Sequence, residues 1–266
     1  MKYTPLATAV ALFLTLAAQA QTTAATAPTK AVTPPISVKP AAPAVKLPPQ
    51  APDVAAPKMG NDGQPQAGFV GAHEKFVAIA KEGKTDLVFL GDSITAGWGG
   101  KQEIWDKAFG MYRPANFGIG GDRTQHVLWR ITTGGELKGV NPKVVVLMIG
   151  TNNLGANTPA EIAAGVTAIV AELRKQLPDT KVLLLAVFPR AEKPTDGARG
   201  KIKEINDTIA KLDDGKAVRY LDIGSKFLAE DGSLTKAIMP DFLHLSPKGY
   251  GIWADAIQER LTEMMK

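Results

Sequence analysis

From residue 86 to residue 221 short apolar runs alternate with amphipathic stretches. The apolar runs at 86–90, 115–117, 143–149, 181–187 and 218–221 predict strands. Two of them, Val144-Val145-Val146-Leu147-Met148-Ile149 and Val182-Leu183-Leu184-Leu185-Ala186-Val187, are apolar at consecutive positions. A strand covered by helices on both faces needs that pattern, whereas a half-solvated strand would alternate. Between them Ile162, Val166, Ile169, Val170 and Leu173 recur at helical spacing and predict a helix over 159–177, stopped by Pro178 and Asp179. Ser246-Pro247, an N-cap followed by proline at the first helical position, predicts a last helix over 248–264. Repeated βα units with short links imply an α/β fold with a doubly wound parallel sheet and right-handed crossovers. In such a sheet the segments that follow each strand emerge together on one edge, where ligands bind.

The first 66 residues follow another pattern. Lys2, the apolar run 6–18 and Ala18-Gln19-Ala20 read as a secretory signal over 1–20 with cleavage after Ala20. The apolar run is too short for a membrane anchor, which needs about 20 residues. Residues 21–67 are rich in Ala, Pro, Thr, Val and Lys and poor in aromatic residues, which predicts a disordered spacer. Residues 68–266 then form one domain. The chain carries a formal charge of +5, but acidic and basic residues are interspersed in the domain and form no basic stripe, so nucleic acid is not an expected partner. The chain has no cysteine, which excludes disulfides, thiol catalysis and thiolate metal sites. The expected localisation is secreted or periplasmic.

Three clusters follow three predicted strands: Gly91-Asp92-Ser93, Gly118-Ile119-Gly120-Gly121-Asp122 and Gly150-Thr151-Asn152-Asn153. A serine hydroxyl becomes a useful nucleophile when a base takes its proton, and histidine is the usual base near neutral pH. Of the three histidines, His73 is expected to cap the surface and His126 to make a structural hydrogen bond. His244 lies in Asp241-Phe242-Leu243-His244, just before the last helix. The three-residue spacing lets Asp241 accept a hydrogen bond from His244 Nδ1 and leave Nε2 facing Ser93, making Ser93, Asp241 and His244 the candidate catalytic residues. Acyl transfer also needs donors for the oxyanion: the Ser93 amide, a glycine amide in Gly120-Gly121, and the side chain of Asn152 or Asn153. Gly-x-Gly-Gly lacks the complete dinucleotide fingerprint, and no Walker lysine follows it.

With these four blocks in order, the chain resembles the SGNH hydrolases of the GDSL type. Within them it is similar to the catalytic subunits of type I platelet-activating-factor acetylhydrolase. The resemblance is carried by Asn116-Phe117-Gly118-Ile119-Gly120-Gly121-Asp122, Gln125-His126-Val127-Leu128-Trp129-Arg130, Gly150-Thr151-Asn152-Asn153, Pro189-Arg190 and Asp241-Phe242-Leu243-His244-Leu245. It implies a three-layer α/β/α, flavodoxin-like five-stranded sheet, Ser93 as nucleophile, His244 as base, Asp241 as its orienting acid, and Ser93, Gly121 and Asn152 as oxyanion donors. It also implies no metal or cofactor, an acyl-serine intermediate and a homodimer. Thr95-Ala96-Gly97-Trp98-Gly99-Gly100 replaces a bulkier segment of those acetylhydrolases, so the resemblance does not fix the shape of the acyl pocket. The expected function is an exported serine esterase acting on short-chain, in particular acetyl, esters of a small molecule, lipid or carbohydrate. Alternatives are a lysophospholipase or thioesterase with a deeper acyl channel, or a carbohydrate-binding module without catalysis. Ile94 and Leu243 are candidates for an acyl-pocket wall or, equally, for the core.

Overall fold

The computed structural model describes residues 49–266. In chain order the elements are α1 (Ala67–Glu82), β1 (Leu87–Gly91), α2 (Ser93–Ala96), α3 (Gln102–Phe109), β2 (Pro114–Gly118), α4 (Thr124–Ile131), β3 (Val144–Met148), α5 (Pro159–Gln176), β4 (Lys181–Leu185), α6 (Gly197–Ile209), β5 (Val218–Leu221) and α7 (Pro247–Met265). All five strands are parallel and stand in the order β2-β1-β3-β4-β5.

Alternation along each strand sorts the apolar side chains into two cores. Val88, Leu90, Val145, Leu147, Val182 and Leu184 pack with residues of α4, α5 and α6 on one face. Leu87, Phe89, Val144, Val146, Leu183 and Leu185 pack with Trp105, Phe109, Trp253 and Ile257 of α3 and α7 on the other. The period of two therefore delivers consecutive apolar residues to opposite layers, which is why the strands read as unbroken apolar runs. The result is the expected three-layer α/β/α arrangement. Each fully buried Leu or Val contributes roughly 1.5–3 kcal/mol relative to exposure.

Two strands are shorter than their apolar runs. β4 ends at Leu185 although Ala186 and Val187 are buried. The side chain of Asn206 on α6 there replaces the ladder, accepting from Val187 N at 2.8 Å and donating to Val187 O at 3.0 Å. The chain thus leaves the sheet with its backbone groups satisfied.

The signal region and residues 21–48 of the expected spacer lie outside the described residues. Residues 49–66, placed by composition in that spacer, instead form a strap on the folded domain. Pro52 O accepts from Thr124 Oγ1 at 2.8 Å, and Ala56 N donates to Gln125 O at 3.2 Å. Gly165 makes room for the strap on α5, because a Cβ there would stand 2.6 Å from Pro52 O. Composition missed this segment because mainly polar contacts hold it down, with little more than Pro52 and Ala55 packed against the domain. Among the described residues no helix is long and apolar enough to cross a membrane.

Candidate active site

The strand order reverses at β1, which has β2 on one side and β3 on the other. The crevice at such a switch point opens beyond the C-terminal strand ends. Ser93 starts α2 directly after β1, and Asn152 follows β3 by a few residues. Asp92 caps α2, accepting from Ile94 N at 2.9 Å. Gly118, at the end of β2, packs against the α2 backbone so closely that a Cβ would collide with Ala96 N. Tyr250 of α7 holds the far side of the turn by donating from its hydroxyl to Ile94 O at 2.6 Å.

Ser93 Oγ lies 2.9 Å from His244 Nε2. His244 Nδ1 lies 2.7 Å from Asp241 Oδ2, while Asp241 Oδ1 accepts the backbone amides of His244 at 2.7 Å and Leu243 at 3.1 Å. Burial opposes ionisation of Asp241, but the hydrogen bonds from the His244 ring and the two amides outweigh it and hold the carboxyl below its ordinary range. The acceptor on Nδ1 selects the tautomer in which Nε2 is free to take a proton from Ser93. The turn between the two side chains needs Phe242 in the left-handed region at φ 57°, and Phe242 O is held at 2.9 Å by the amide of Ala191, whose own φ is 66°. The His244 and Asp241 side chains are 45% and 57% exposed, so the arrangement is open to solvent.

The expected oxyanion donors come to the same edge. Asn152 and Asn153 separate by environment: Asn153 is buried, accepting from Thr124 N at 3.0 Å and donating to Gln125 Oε1 at 3.0 Å. Asn152 is half-buried. One proton of its amide goes to Asp122 O at 2.9 Å, and the other has only a 3.4 Å contact with Asp92 Oδ2, which leaves it free to serve a ligand. Gly121 has φ +72°, a conformation open to glycine without cost. The carbonyl of the Gly120–Gly121 peptide accepts from Lys58 Nζ of the strap. Because a trans peptide sets its C=O and N–H antiparallel, this contact aims the Gly121 N–H away from the strap and makes it more polar.

A buried ion network underlies that loop. Arg130, fully buried on α4, donates to Asp122 Oδ2 at 2.8 Å, to Glu136 Oε2 at 2.8 Å and Oε1 at 2.7 Å, and to Phe117 O. Burial disfavours the Glu136 carboxylate, yet Arg130 and His73 together hold it below its ordinary range. His73 was expected at the surface; it is buried instead, with Nδ1 2.8 Å from Glu136 Oε2. The charged network missing from the sequence reading accounts for this, since a buried carboxylate demands partners. His126 does make a structural hydrogen bond, to Gln50 Oε1 at 3.2 Å. Burial, together with Lys58, Arg123 and Arg130, pushes it down to about 3, so it is neutral. Burial pushes the Asp92 carboxyl up to about 7 despite the Ile94 amide. Ile94 is buried in the core, and Leu243 packs half-buried against the same cluster. Among the described residues no group of three or more His, Asp or Glu side chains forms a metal site.

A serine, an oriented histidine and converging donors at a strand edge are the parts of an acyl-transfer site. The family model of the GDSL-like lipases/acylhydrolases matches residues 89–252. The chain belongs to this family. It is an ester hydrolase of the GDSL type, 37% identical over 213 residues to the platelet-activating factor acetylhydrolase IB subunit alpha2 of Gallus gallus, covering 80% of this chain and 91% of that protein. The alpha1 subunit of Homo sapiens is 36% identical over 77% of this chain and 87% of its own length. Among solved structures, a GDSL-like lipase from Bacteroides thetaiotaomicron superposes with a TM-score of 0.58 at 23% identity, covering 72% of this hydrolase and 97% of that chain. An acetyl xylan esterase superposes with a TM-score of 0.53 at 25% identity, covering 66% and 98%.

Proposed function

We propose that this hydrolase is an exported serine esterase that removes short acyl groups, acetyl above all, through Ser93, His244 and Asp241. The hydrogen-bonded run Ser93 Oγ, His244 Nε2, His244 Nδ1, Asp241 Oδ2, with links of 2.9 and 2.7 Å, carries the reading. In the forward step Ser93 Oγ attacks the ester carbonyl as its proton passes to Nε2. The oxyanion is met by the amides of Ser93 and Gly121 and by Asn152 Nδ2. Collapse expels the alcohol, which takes the proton from His244, and water then attacks the acyl-serine by the same route.

The acetyl preference rests on the relatives named as acetylhydrolases and on the fold neighbour named as an acetyl xylan esterase. Export rests on residues 1–20, and mass measurement of the mature protein tests it: a chain beginning at Gln21 is expected. The chemistry is tested by hydrolysis of p-nitrophenyl acetate, butyrate and octanoate by wild type, Ser93→Ala and His244→Ala. Loss of activity in both variants with acetate fastest supports the reading. Octanoate fastest moves it to a lipase or thioesterase, and an inactive wild type unlabelled by a fluorophosphonate refutes it.

A further inference from the structure

A cavity of about 340 Å³ lies beside the candidate oxyanion donor, lined by Gln50, Lys58, Gln66, Gly121, Arg123 and His126, with further wall from the strap. One of its edges is Gly121 itself, so the cavity meets the proposed oxyanion donor across the Gly120–Gly121 peptide; in this respect the inference rests on the proposed reaction. Its charges do not balance. Lys58 Nζ stands 3.8 Å from Asp122 Oδ1, and Arg130 is shared between Asp122 and Glu136. Of the charged side chains, Lys58 and Arg123 line the cavity and no carboxylate does. Arg123 is half-buried, and its guanidinium has no hydrogen-bond acceptor and no ion-pair partner among the described residues. The neighbouring imidazole of His126 adds no charge, and Gln50 and Gln66 supply neutral amides. A guanidinium completed by solvent alone can exchange that water for a ligand, and its planar fork fits two oxygens of a carboxylate.

We propose that this cavity is a subsite for a carboxylate carried on the alcohol part of the ester, held by Arg123 with Lys58 beside it. The two lining cations match an anionic group. The substrate class that follows is the acyl ester of a hydroxy acid, including acylated sugar acids, in preference to the ester of a neutral alcohol. Because the strap supplies Gln50, Lys58 and Gln66, substrate choice is built partly from the segment ahead of α1.

The test compares 4-acetoxybenzoate with methyl 4-acetoxybenzoate, each kcat/KM divided by the uncatalysed hydrolysis of the same ester. The ratio of the two is independent of the amount of folded enzyme. At low ionic strength wild type is expected to favour the anion about tenfold, as a charge-assisted hydrogen-bond pair allows. Arg123→Gln is expected to bring the ratio to about one, Arg123→Glu below one, and high salt to shrink the wild-type preference. A wild-type ratio of one or less, or a ratio unchanged in Arg123→Gln, overturns the proposal. Calorimetric titration with 4-hydroxybenzoate needs no turnover and is run on the same proteins. If neither ester is hydrolysed, the reaction fails as proposed, and the subsite is judged by whether 4-hydroxybenzoate binds several-fold more weakly to Arg123→Gln. Equal binding overturns it.

Discussion

Replacing Arg130 with methionine would leave Asp122 and Glu136 buried with no guanidinium between them. Arg130 makes three hydrogen bonds to the two carboxylates and one to Phe117 O. Both carboxylate side chains in these pairs are fully buried, so solvent does not soften the loss. Removing one partner of a buried pair costs about 3–5 kcal/mol. For a domain of ~200 residues each kcal/mol moves Tm by about 2–4 °C, so a fall on the order of 10 °C is expected near neutral pH. The pH dependence has a definite sign. In wild type Glu136 is held below its unfolded value, so its stabilisation is present above that value and lost as pH falls. Asp122 is already raised to about 6 by burial in wild type; in Arg130→Met it rises further and Glu136 shifts above its unfolded value, so stability is fullest in acid and lost as pH rises through the folded pKa values. The two curves therefore converge towards acid, and the Tm deficit at pH 8 exceeds that at pH 5. Asp92 titrates in both proteins and cancels in the difference. Thermal unfolding followed by circular dichroism at the two pH values measures both quantities. A deficit below about 2 °C, or one equal at pH 5 and pH 8, would refute the view that Arg130 compensates two ionised carboxyls.

Asn152→Ala is expected to lower kcat for p-nitrophenyl acetate by about 10²–10³ with little change in KM, as the loss of one oxyanion donor does; a loss under fivefold would remove Asn152 from the reaction. Lys58→Met should lower kcat by releasing the Gly120–Gly121 peptide, and Lys58→Arg should restore part of it because a guanidinium can still donate to Gly120 O; equal kcat in all three proteins would separate the strap from the chemistry. Asp92, raised to about 7 by burial, gives stability that is full below its unfolded pKa and lost as pH rises through 7. Asp92→Asn should therefore flatten the fall in stability between pH 5 and pH 7, read from urea unfolding, by up to about 1.4 kcal/mol per pH unit below the folded value and about half that near it.

The sheet was legible because burial on both faces writes itself as consecutive apolar residues, and Val144 to Ile149 can hardly be read otherwise. Ser93, Asp241 and His244 were legible because each sits at a strand or helix boundary marked by glycine, proline or a cap. Three features were not. The choice between Asn152 and Asn153 depends on which side chain Thr124 and Gln125 engage, a contact across about 28 residues. The network of Arg130, Asp122, Glu136 and His73 joins residues spread over α1 and α4 and the loops beside α4. Each alone looks like a surface charge, and only burial reveals the ion pairs. The strap escaped for the opposite reason, since its 49–66 stretch has the composition of a linker and is held by carbonyls and by the space at Gly165. An acceptor such as Pro52 O leaves no mark in the side-chain alphabet.

The bond between Ala191 and Phe242 joins two residues that both occupy backbone space favoured by the mirror-image amino acids. Each L-residue there costs about 1–2 kcal/mol, and the pair endures because fixed contacts on either side allow neither to relax alone. Arg190, next to Ala191, reaches Thr151 at 3.3 Å, so the histidine turn, the exit of β4 and the segment bearing Asn152 form one mechanical linkage. Chemical synthesis with D-alanine at 191 would ease one end of that linkage without removing a single hydrogen bond. His244 and Asn152 are then expected to hold their relative positions to a higher temperature than with the L-residue.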